Sequence, residues 1–354
     1  MMLRLEGKMH SCPLFSNRIH SLSSRPLPCP SRVLRASTRR VQPCRAASSA
    51  SQASLAEPAA YEKLKEVYDY LQSLPPSDRQ GASNEILTTL NSLKKDGKLQ
   101  KFGKRLEERV DRRNVFMGEL RRVGVKVPDS IGKLSVRNDA AFLITVVGTT
   151  SVVAVAAGFL PGDWGFFVPY LTGGISIATL VIGSTAPGFL QFFIDKFAQV
   201  FPDYRERVLR HEAAHLLAGY LMGVPVTGFS LDIGKAHTDF AEAKLQRRLI
   251  EQRLNETEVD QLALVAMAGA SAEAMKYDEV LGQNADMSDL QRIMLRSSKK
   301  MDDAQQQNMT RWAVYECCRL LSDYSAEYEA LQAAMKSRSS VAECIRAIEL
   351  TGSS

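Results

Sequence analysis

Apolar residues recur three and four positions apart through most of the chain, and this period predicts a mostly α-helical protein. The pattern across residues 57–127 predicts a helical soluble domain, interrupted at the Pro75-Pro76 pair and again at Gly97. Its last part, residues 99–122, is highly charged and is also predicted to be helical. Charges of both signs alternate there, which indicates a solvated helix face, and we assign no function to this domain.

Two long apolar runs follow, at residues 140–160 and 166–193, and a tight turn rich in Gly and Pro separates them. Each run is long enough to cross a lipid bilayer as a helix. Residues 140–193 are therefore predicted to form a two-span membrane hairpin. Basic residues flank the hairpin on both sides, which by the positive-inside tendency places both soluble parts on one side of the membrane.

The chain then reads His211-Glu212-Ala213-Ala214-His215, an H-E-x-x-H pattern. Two histidines four positions apart on a helix can bind one metal ion from the same face, and zinc is the metal that this pattern favours. Glu212 would lie beside the open coordination position as a general base for peptide hydrolysis. The structural alternative is a helix whose two histidines are hydrogen-bonded in the core.

The boundaries of this helix are also readable in the sequence. Asp203 and Glu206 have the spacing of a capping box, and Gly223 with Pro225 would end the helix. The two histidines would therefore lie well inside one amphipathic helix.

After this helix, Phe229, Leu231 and Ile233 alternate with polar residues, which predicts a short strand whose edge could hold an extended peptide. From Asp239 onward the pattern predicts helix again, with an Ala-rich helix at residues 261–275. Residues 301–350 are predicted to form two or three further helices.

Composition changes the interpretation of the N-terminus. Residues 1–53 contain nine basic residues and one acidic residue, are rich in Ser, and have no sustained apolar run. This composition is typical of an organellar transit peptide, which we place at residues 1–48, and its Ser content favours a plastid. The whole chain has a net charge of +6 and this segment alone has +8, so the rest of the chain is near −2 and gives no reason to expect nucleic-acid binding.

Three blocks occur in order along the second half of the chain: His211-Glu212-Ala213-Ala214-His215 with Gly219, the stretch from Ala268 to Ala274, and Ser288-Asp289-Leu290-Gln291-Arg292. Together they resemble the conserved blocks of the FtsH family of membrane-bound zinc peptidases. The resemblance implies that residues 201–354 form a mostly helical zinc peptidase domain with a short strand or small sheet. It also implies that His211, His215 and Asp289 bind Zn²⁺ and that Glu212 is catalytic.

The third ligand has competitors in the sequence. Asp286 lies one helical turn before Asp289, and it could be the ligand or a partner of the ligand. Glu273 could serve in a glutamate-type zinc site, and His237 is predicted to be a surface histidine on a loop.

The chain departs from the FtsH pattern at Ala214, Ala274 and Ser288, and none of its Gly-Lys pairs is followed by the Ser or Thr of an ATP-binding loop. It therefore resembles the ATPase-lacking, FtsH-like chloroplast membrane proteins of plants and algae. This resemblance implies a metalloendopeptidase that acts on unfolded or partner-delivered plastid proteins, in the thylakoid or inner envelope membrane with its peptidase domain facing the stroma. The alternative is a catalytically silent scaffold or regulator of a protease complex, and both a homo-oligomer and an ATPase partner remain open.

Overall fold

The computed structural model describes residues 58–74, 79–108, 111–133, 137–198, 201, 203–232, 236–240 and 254–351. Most of these residues are helical, which confirms the predicted mostly α-helical class. The transit peptide predicted at residues 1–48 lies outside the described residues.

The first half of the described chain contains the helices α1 (Pro58–Ser73), α2 (Arg79–Lys95), α3 (Lys104–Glu107), α4 (Met117–Arg122), α5 (Arg137–Ala157), α6 (Trp164–Thr185) and α7 (Pro187–Ala198). The second half contains α8 (Tyr204–Leu221), the strands β1 (Val226–Ser230) and β2 (His237–Phe240), and the helices α9 (Glu256–Lys276), α10 (Gln283–Leu295), α11 (Asp303–Asp323), α12 (Ser325–Lys336) and α13 (Val341–Leu350).

Helices α5 and α6 form an antiparallel pair that we call the apolar hairpin. Both are long and apolar enough to cross a membrane, and few of their residues are fully buried in the protein. Thr150 and Ser176 share a hydrogen bond of 2.6 Å between their hydroxyl groups, which links the two helices. The two predicted apolar runs therefore form two helices, as expected for a membrane hairpin.

The second apolar run is shorter than the sequence predicted. Helix α6 ends at Thr185, and Pro187 begins the separate helix α7. Proline lacks a backbone N–H and disfavours helical geometry in the residue before it, and Ala186 accordingly leaves the helical conformation. The residues from Pro187 to Phe193 thus belong to a third helix and not to the second apolar helix.

The segment predicted as a separate domain at residues 57–127 packs into the same core as the C-terminal half. Tyr68 donates a hydrogen bond of 2.9 Å from its hydroxyl to the carbonyl of Val226, and the backbone N–H of Gly103 donates one of 3.0 Å to the carbonyl of Tyr220. Buried apolar residues from both segments form one cluster. Among the described residues of the charged stretch, 99–108 and 111–122, the short helices α3 and α4 are the only helical segments.

Strands β1 and β2 pair antiparallel in a two-stranded sheet. The predicted strand at Phe229 is present, but it begins earlier, at Val226, and Ile233 lies outside the described residues. The prediction of helix from Asp239 onward is wrong at its start, because Asp239 pairs with Gly228 in β2. The exposed and half-buried residues of β2 alternate without an apolar run, so the sequence pattern gave little sign of this strand.

The helices predicted after the sheet are confirmed. Helix α9 covers the Ala-rich stretch, and α11, α12 and α13 follow at residues 301–350. Helix α9 packs against α8 on one side and α11 on another, which makes it the central helix of this half.

Candidate metal centre

Three side chains from two helices converge on one point. His211 and His215 lie one turn apart on α8, and their Nε2 atoms are 3.1 Å from each other. Asp286, in the first turn of α10, places its Oδ1 atom 3.4 Å from Nε2 of His211 and 3.3 Å from Nε2 of His215. These three residues form a group that could hold a metal ion.

The outer hydrogen bonds of these side chains fix which atoms face the centre. The Nδ1 atom of His211 donates to Oε1 of Glu273 at 2.8 Å, and Nδ1 of His215 donates to the carbonyl of Val265 at 2.8 Å. Each neutral imidazole carries one proton, so both Nε2 atoms present a lone pair. Asp286 accepts from the backbone N–H of Ala270 with its other oxygen, Oδ2, at 3.0 Å. With both rings neutral, the two Nε2 atoms and Oδ1 of Asp286 therefore present three lone pairs to one point, where they could bind a cation.

The spacing of these atoms fits a small tetrahedral metal ion. Ligands about 2.0–2.1 Å from zinc at tetrahedral angles lie about 3.3–3.4 Å apart, which is close to the observed separations. Helix α9 reaches the centre through Gly269, where a Cβ atom would overlap Nε2 of both histidines. A side chain at Gly282 would come within 2.6 Å of the His211 ring. Two glycines thus keep open the space around the ligand atoms.

Burial and charge act in opposite directions on these groups. Burial lowers the pKa of the His211 and His215 imidazoles, but the neighbouring carboxylates, Asp286 with Glu273 beside His211 and Asp286 with Glu212 beside His215, together raise it by more, so the pKa of both histidines lies above its ordinary value. Burial raises the pKa of Asp286, but the two histidines outweigh this effect and lower it. The centre therefore favours a positive charge between the carboxylate and the two rings.

Glu212, the predicted general base, is buried on the same helix, and strand β2 fixes its carboxylate. Thr238 donates from its hydroxyl to Oε2 of Glu212 at 2.8 Å. Gly219, one of the residues on which the resemblance rests, lies where a Cβ atom would overlap the ring of Phe240 in β2. The absence of a side chain at Gly219 therefore lets β2 pack closely on α8, and this packing places Thr238 against Glu212.

The centre lines a cavity of about 680 Å³. Its polar part includes His211, Glu212, His215 and Asp286, and one apolar wall is formed by Val224, Phe240, Leu262, Val265 and Ala266. Asn138 and Asp139, from the first turn of α5, line the same cavity. The cavity therefore contains the group that could hold a metal ion, the carboxylate of Glu212 and an apolar lining.

The acidic residue that meets the histidines is Asp286, and Asp289, the ligand implied by the resemblance, lies outside this group. Asp289 is about half exposed, and it pairs with Arg292 at 2.9 Å. It is nevertheless one of the residues that line the cavity. The Asp286 side chain is buried in the first turn of α10, whereas Asp289, one turn further along, is exposed, so only Asp286 reaches the imidazoles.

The structure also shows where Glu273 and His237, the other two candidates for the third ligand, lie. Glu273 contacts His211 through Nδ1, the nitrogen that faces away from the centre, so it supports a ligand instead of joining the group. His237 is exposed and lies on strand β2, not on a loop, with Nε2 3.4 Å from Asp239.

Sequence reasoning missed three residues that shape the site: Arg207, Thr238 and Gly269. Gly269 belongs to the second FtsH-like block, so a close backbone approach could have been suspected there. Arg207 is one turn before His211, but apart from Asp203 its partners, Glu273, Tyr277 and Glu279, are distant in sequence. For Thr238 the sequence contains no comparable signal.

Comparisons of the chain with protein-family models, with curated proteins and with solved structures gave no match.

Proposed function

We propose that this protein is a membrane-anchored zinc metallopeptidase, an ATPase-lacking relative of the FtsH peptidases. The observation that carries the proposal is the convergence of the Nε2 atoms of His211 and His215 with a carboxylate oxygen of Asp286, beside the carboxylate of Glu212 in the same cavity. His211, His215 and Asp286 would hold the metal. Zinc bound there would polarise a scissile carbonyl and lower the pKa of a water molecule.

Glu212 would act as the general base. Its carboxylate takes a proton from the attacking water as the water oxygen bonds to the carbonyl carbon, and it passes that proton to the amine nitrogen when the C–N bond breaks. The hydrogen bond from Thr238 occupies Oε2 of Glu212, which leaves Oε1 to accept the proton.

An extended peptide is the substrate that the cavity suits best. Strand β2 carries Thr238 beside the centre, and a peptide could add to this small sheet through backbone hydrogen bonds. The apolar wall formed by Val224, Phe240 and Leu262 offers a place for an apolar side chain next to the cleaved bond. A folded protein does not present such a strand, so unfolded segments or partner-delivered proteins are the proposed substrates.

The proposal extends to location. The apolar hairpin would anchor the protein in a plastid membrane, thylakoid or inner envelope, with the peptidase side facing the stroma. A fluorescent reporter fused to residues 1–60 tests the destination, and import into mitochondria instead of plastids would contradict it.

The central experiment compares the wild type with Glu212→Gln, both as purified full-length proteins in detergent. The amide keeps the size of the side chain but cannot accept a proton, so zinc content should be unchanged. Cleavage of an unfolded reporter protein should fall by about 10²- to 10⁴-fold. A chelator should abolish wild-type cleavage, and zinc should restore it.

Wild-type protein that binds zinc and cleaves no reporter would contradict the peptidase proposal. That result would favour a silent scaffold or regulator, which keeps the zinc-binding residues but has no use for the general base.

A further inference from the structure

Arg207 lies one turn before His211 on α8, and its side chain is only 8% exposed. Its Nε donates to Oδ2 of Asp203 at 2.8 Å, and its Nη1 donates to the carbonyl of Glu279 at 3.0 Å. The same Nη1 is 3.7 Å from Oε2 of Glu273, and the guanidinium stacks on the ring of Tyr277. These contacts hold the planar group in one orientation.

Glu273 connects this guanidinium to the metal centre. Its carboxylate is 2% exposed and accepts from the backbone N–H groups of Leu281 and Gly282, at 2.9 and 3.2 Å. It also accepts from Nδ1 of His211 at 2.8 Å. A carboxylate behind a ligating histidine fixes the orientation of the ring and makes it a stronger ligand. Arg207 supplies the positive charge beside this buried carboxylate.

Asp203 extends the same chain of charges away from the centre. The sequence predicts that Asp203 caps α8, yet its side chain makes no capping hydrogen bond and pairs with Arg207 instead. Its Oδ2 is also 3.4 Å from Nη1 of Arg137, the first residue of α5. Partial burial raises the pKa of Asp203, but Arg207 and Arg137 together lower it by more. Asp203 therefore does not cap α8, and its carboxylate instead links α8 to the apolar hairpin.

A second observation brings the same part of the hairpin to the site. Asn138 and Asp139, which follow Arg137 in the first turn of α5, line the cavity that contains His211 and Glu212. The first turn of α5 thus lines the cavity through Asn138 and Asp139 and also pairs with Asp203 through Arg137.

We propose that Arg207 is a positioning residue of the metal centre. It holds Glu273 against His211, and through Asp203 and Arg137 it ties the centre to the first turn of the apolar hairpin. The inference rests on the metal site of the proposed function and not on peptide hydrolysis.

The test uses the full-length protein in lipid nanodiscs and measures the rate at which a chelator removes zinc. The absorption spectrum of the cobalt-substituted protein reports ligand geometry independently of activity. Arg207→Lys keeps the charge but loses the planar fork, so zinc loss should accelerate about tenfold and the cobalt bands should shift. Asp203→Asn should likewise accelerate zinc loss and shift the cobalt bands.

Arg210→Gln is the matched control, because Arg210 forms the same kind of ion pair one turn apart on α8, with Glu206 at 3.1 Å. Zinc loss from this variant should remain within about twofold of the wild type, as for other surface ion pairs. Arg137→Gln should speed zinc loss to a smaller extent than Arg207→Lys. It should add nothing in the Arg207→Lys background, because the connection is already broken there.

The outcomes separate the two proposals. Unchanged zinc loss and cobalt spectra in both Arg207→Lys and Asp203→Asn, with normal thermal unfolding, would overturn the positioning role. Additive effects of Arg137→Gln and Arg207→Lys would overturn the tie to the hairpin. A wild-type protein that binds no zinc would overturn the centre and this inference together. Sensitivity to Arg207→Lys in a protein that cleaves no peptide would support this inference and contradict the peptidase function alone.

Discussion

Asp286 and Asp289 lie one helical turn apart on α10, and they differ in burial and in partners. Asp286 is buried and meets both histidines, whereas Asp289 is about half exposed and pairs with Arg292. Both positions were candidates from the sequence, because spacing along a helix cannot tell which of two acids one turn apart is the deeper one. Only the packing of α10 against α8 and α9 decides it.

This difference gives the first prediction. Asp286→Asn should lower zinc affinity by about tenfold or more, because one of three protein ligands loses its charge. Asp289→Asn is the control and should bind zinc like the wild type. Competition with a fluorescent chelator measures both, and a loss confined to Asp289→Asn would show that Asp289 is the ligand after all.

The histidine pKa values give the second prediction. Protons compete with the metal for His211 and His215, and Asp286 raises the pKa of both above the ordinary value of about 6.5. Zinc affinity should therefore be highest at alkaline pH and should begin to fall, on acidification, while the pH is still above that value. Asp286→Asn removes the carboxylate that contributes most to raising the two pKa values, so its affinity should begin to fall only at a lower pH. Zinc titrations across this pH range measure the effect, and an onset that is the same in both proteins would contradict it.

At the scale of elements, the sequence predicted helices more reliably than their packing. The Ala-rich helix α9 was predicted from its composition, but its role at the centre depends on one backbone position, Gly269, that touches both histidines. Strand β2 was missed because four residues without an apolar pattern carry too weak a signal. The predicted capping box at Asp203 failed for a different reason, since two arginines compete for its carboxylate.

The close approach of α9 gives the third prediction. Gly269→Ala places a methyl group on Nε2 of His211 and His215, so zinc binding should fall by at least about tenfold. Stability should decrease by about 1–3 kcal/mol from overpacking. Gly118→Ala is the control, because a Cβ there meets nothing within 4 Å. Zinc titration and thermal unfolding measure both effects, and normal zinc binding by Gly269→Ala would show that α9 can move away from the centre.

At the scale of the whole molecule, the helices before the hairpin and the domain after it are one unit. The sequence predicted residues 57–127 as a domain of their own, because nothing in a local pattern reveals a contact across more than one hundred residues. The carboxylate of Glu349, near the C-terminus, accepts from the backbone N–H groups of Gln100 and Lys101 at 2.8 and 2.9 Å and from the hydroxyl of Tyr220 at 2.8 Å. Three donors from two distant segments thus meet one buried acid.

This shared core constrains how the chain can cross a membrane. Two segments that pack together must lie on the same side, so the chain between them must cross an even number of times. Helices α5 and α6 are each long enough to cross, whereas α7, with 12 residues, is about 18 Å long and too short for a bilayer core of about 30 Å. A hairpin that crosses a membrane would therefore have the topology that the basic flanks predict, through an independent argument.

The last prediction tests this topology with single cysteines at three exposed positions, Lys65→Cys before the hairpin, Asp163→Cys in its turn and Glu329→Cys after it. A membrane-impermeant maleimide added to sealed vesicles should label Lys65→Cys and Glu329→Cys from the same side and Asp163→Cys only from the other. The parent protein for these variants has Cys12, Cys29 and Cys44 replaced by Ser. Cys317, Cys318 and Cys344 are buried and should react slowly, and labelling of the parent protein measures the remaining background. Labelling of Lys65→Cys and Glu329→Cys from opposite sides would contradict both the two-span hairpin and the common core, because segments on opposite faces of a bilayer cannot share buried residues.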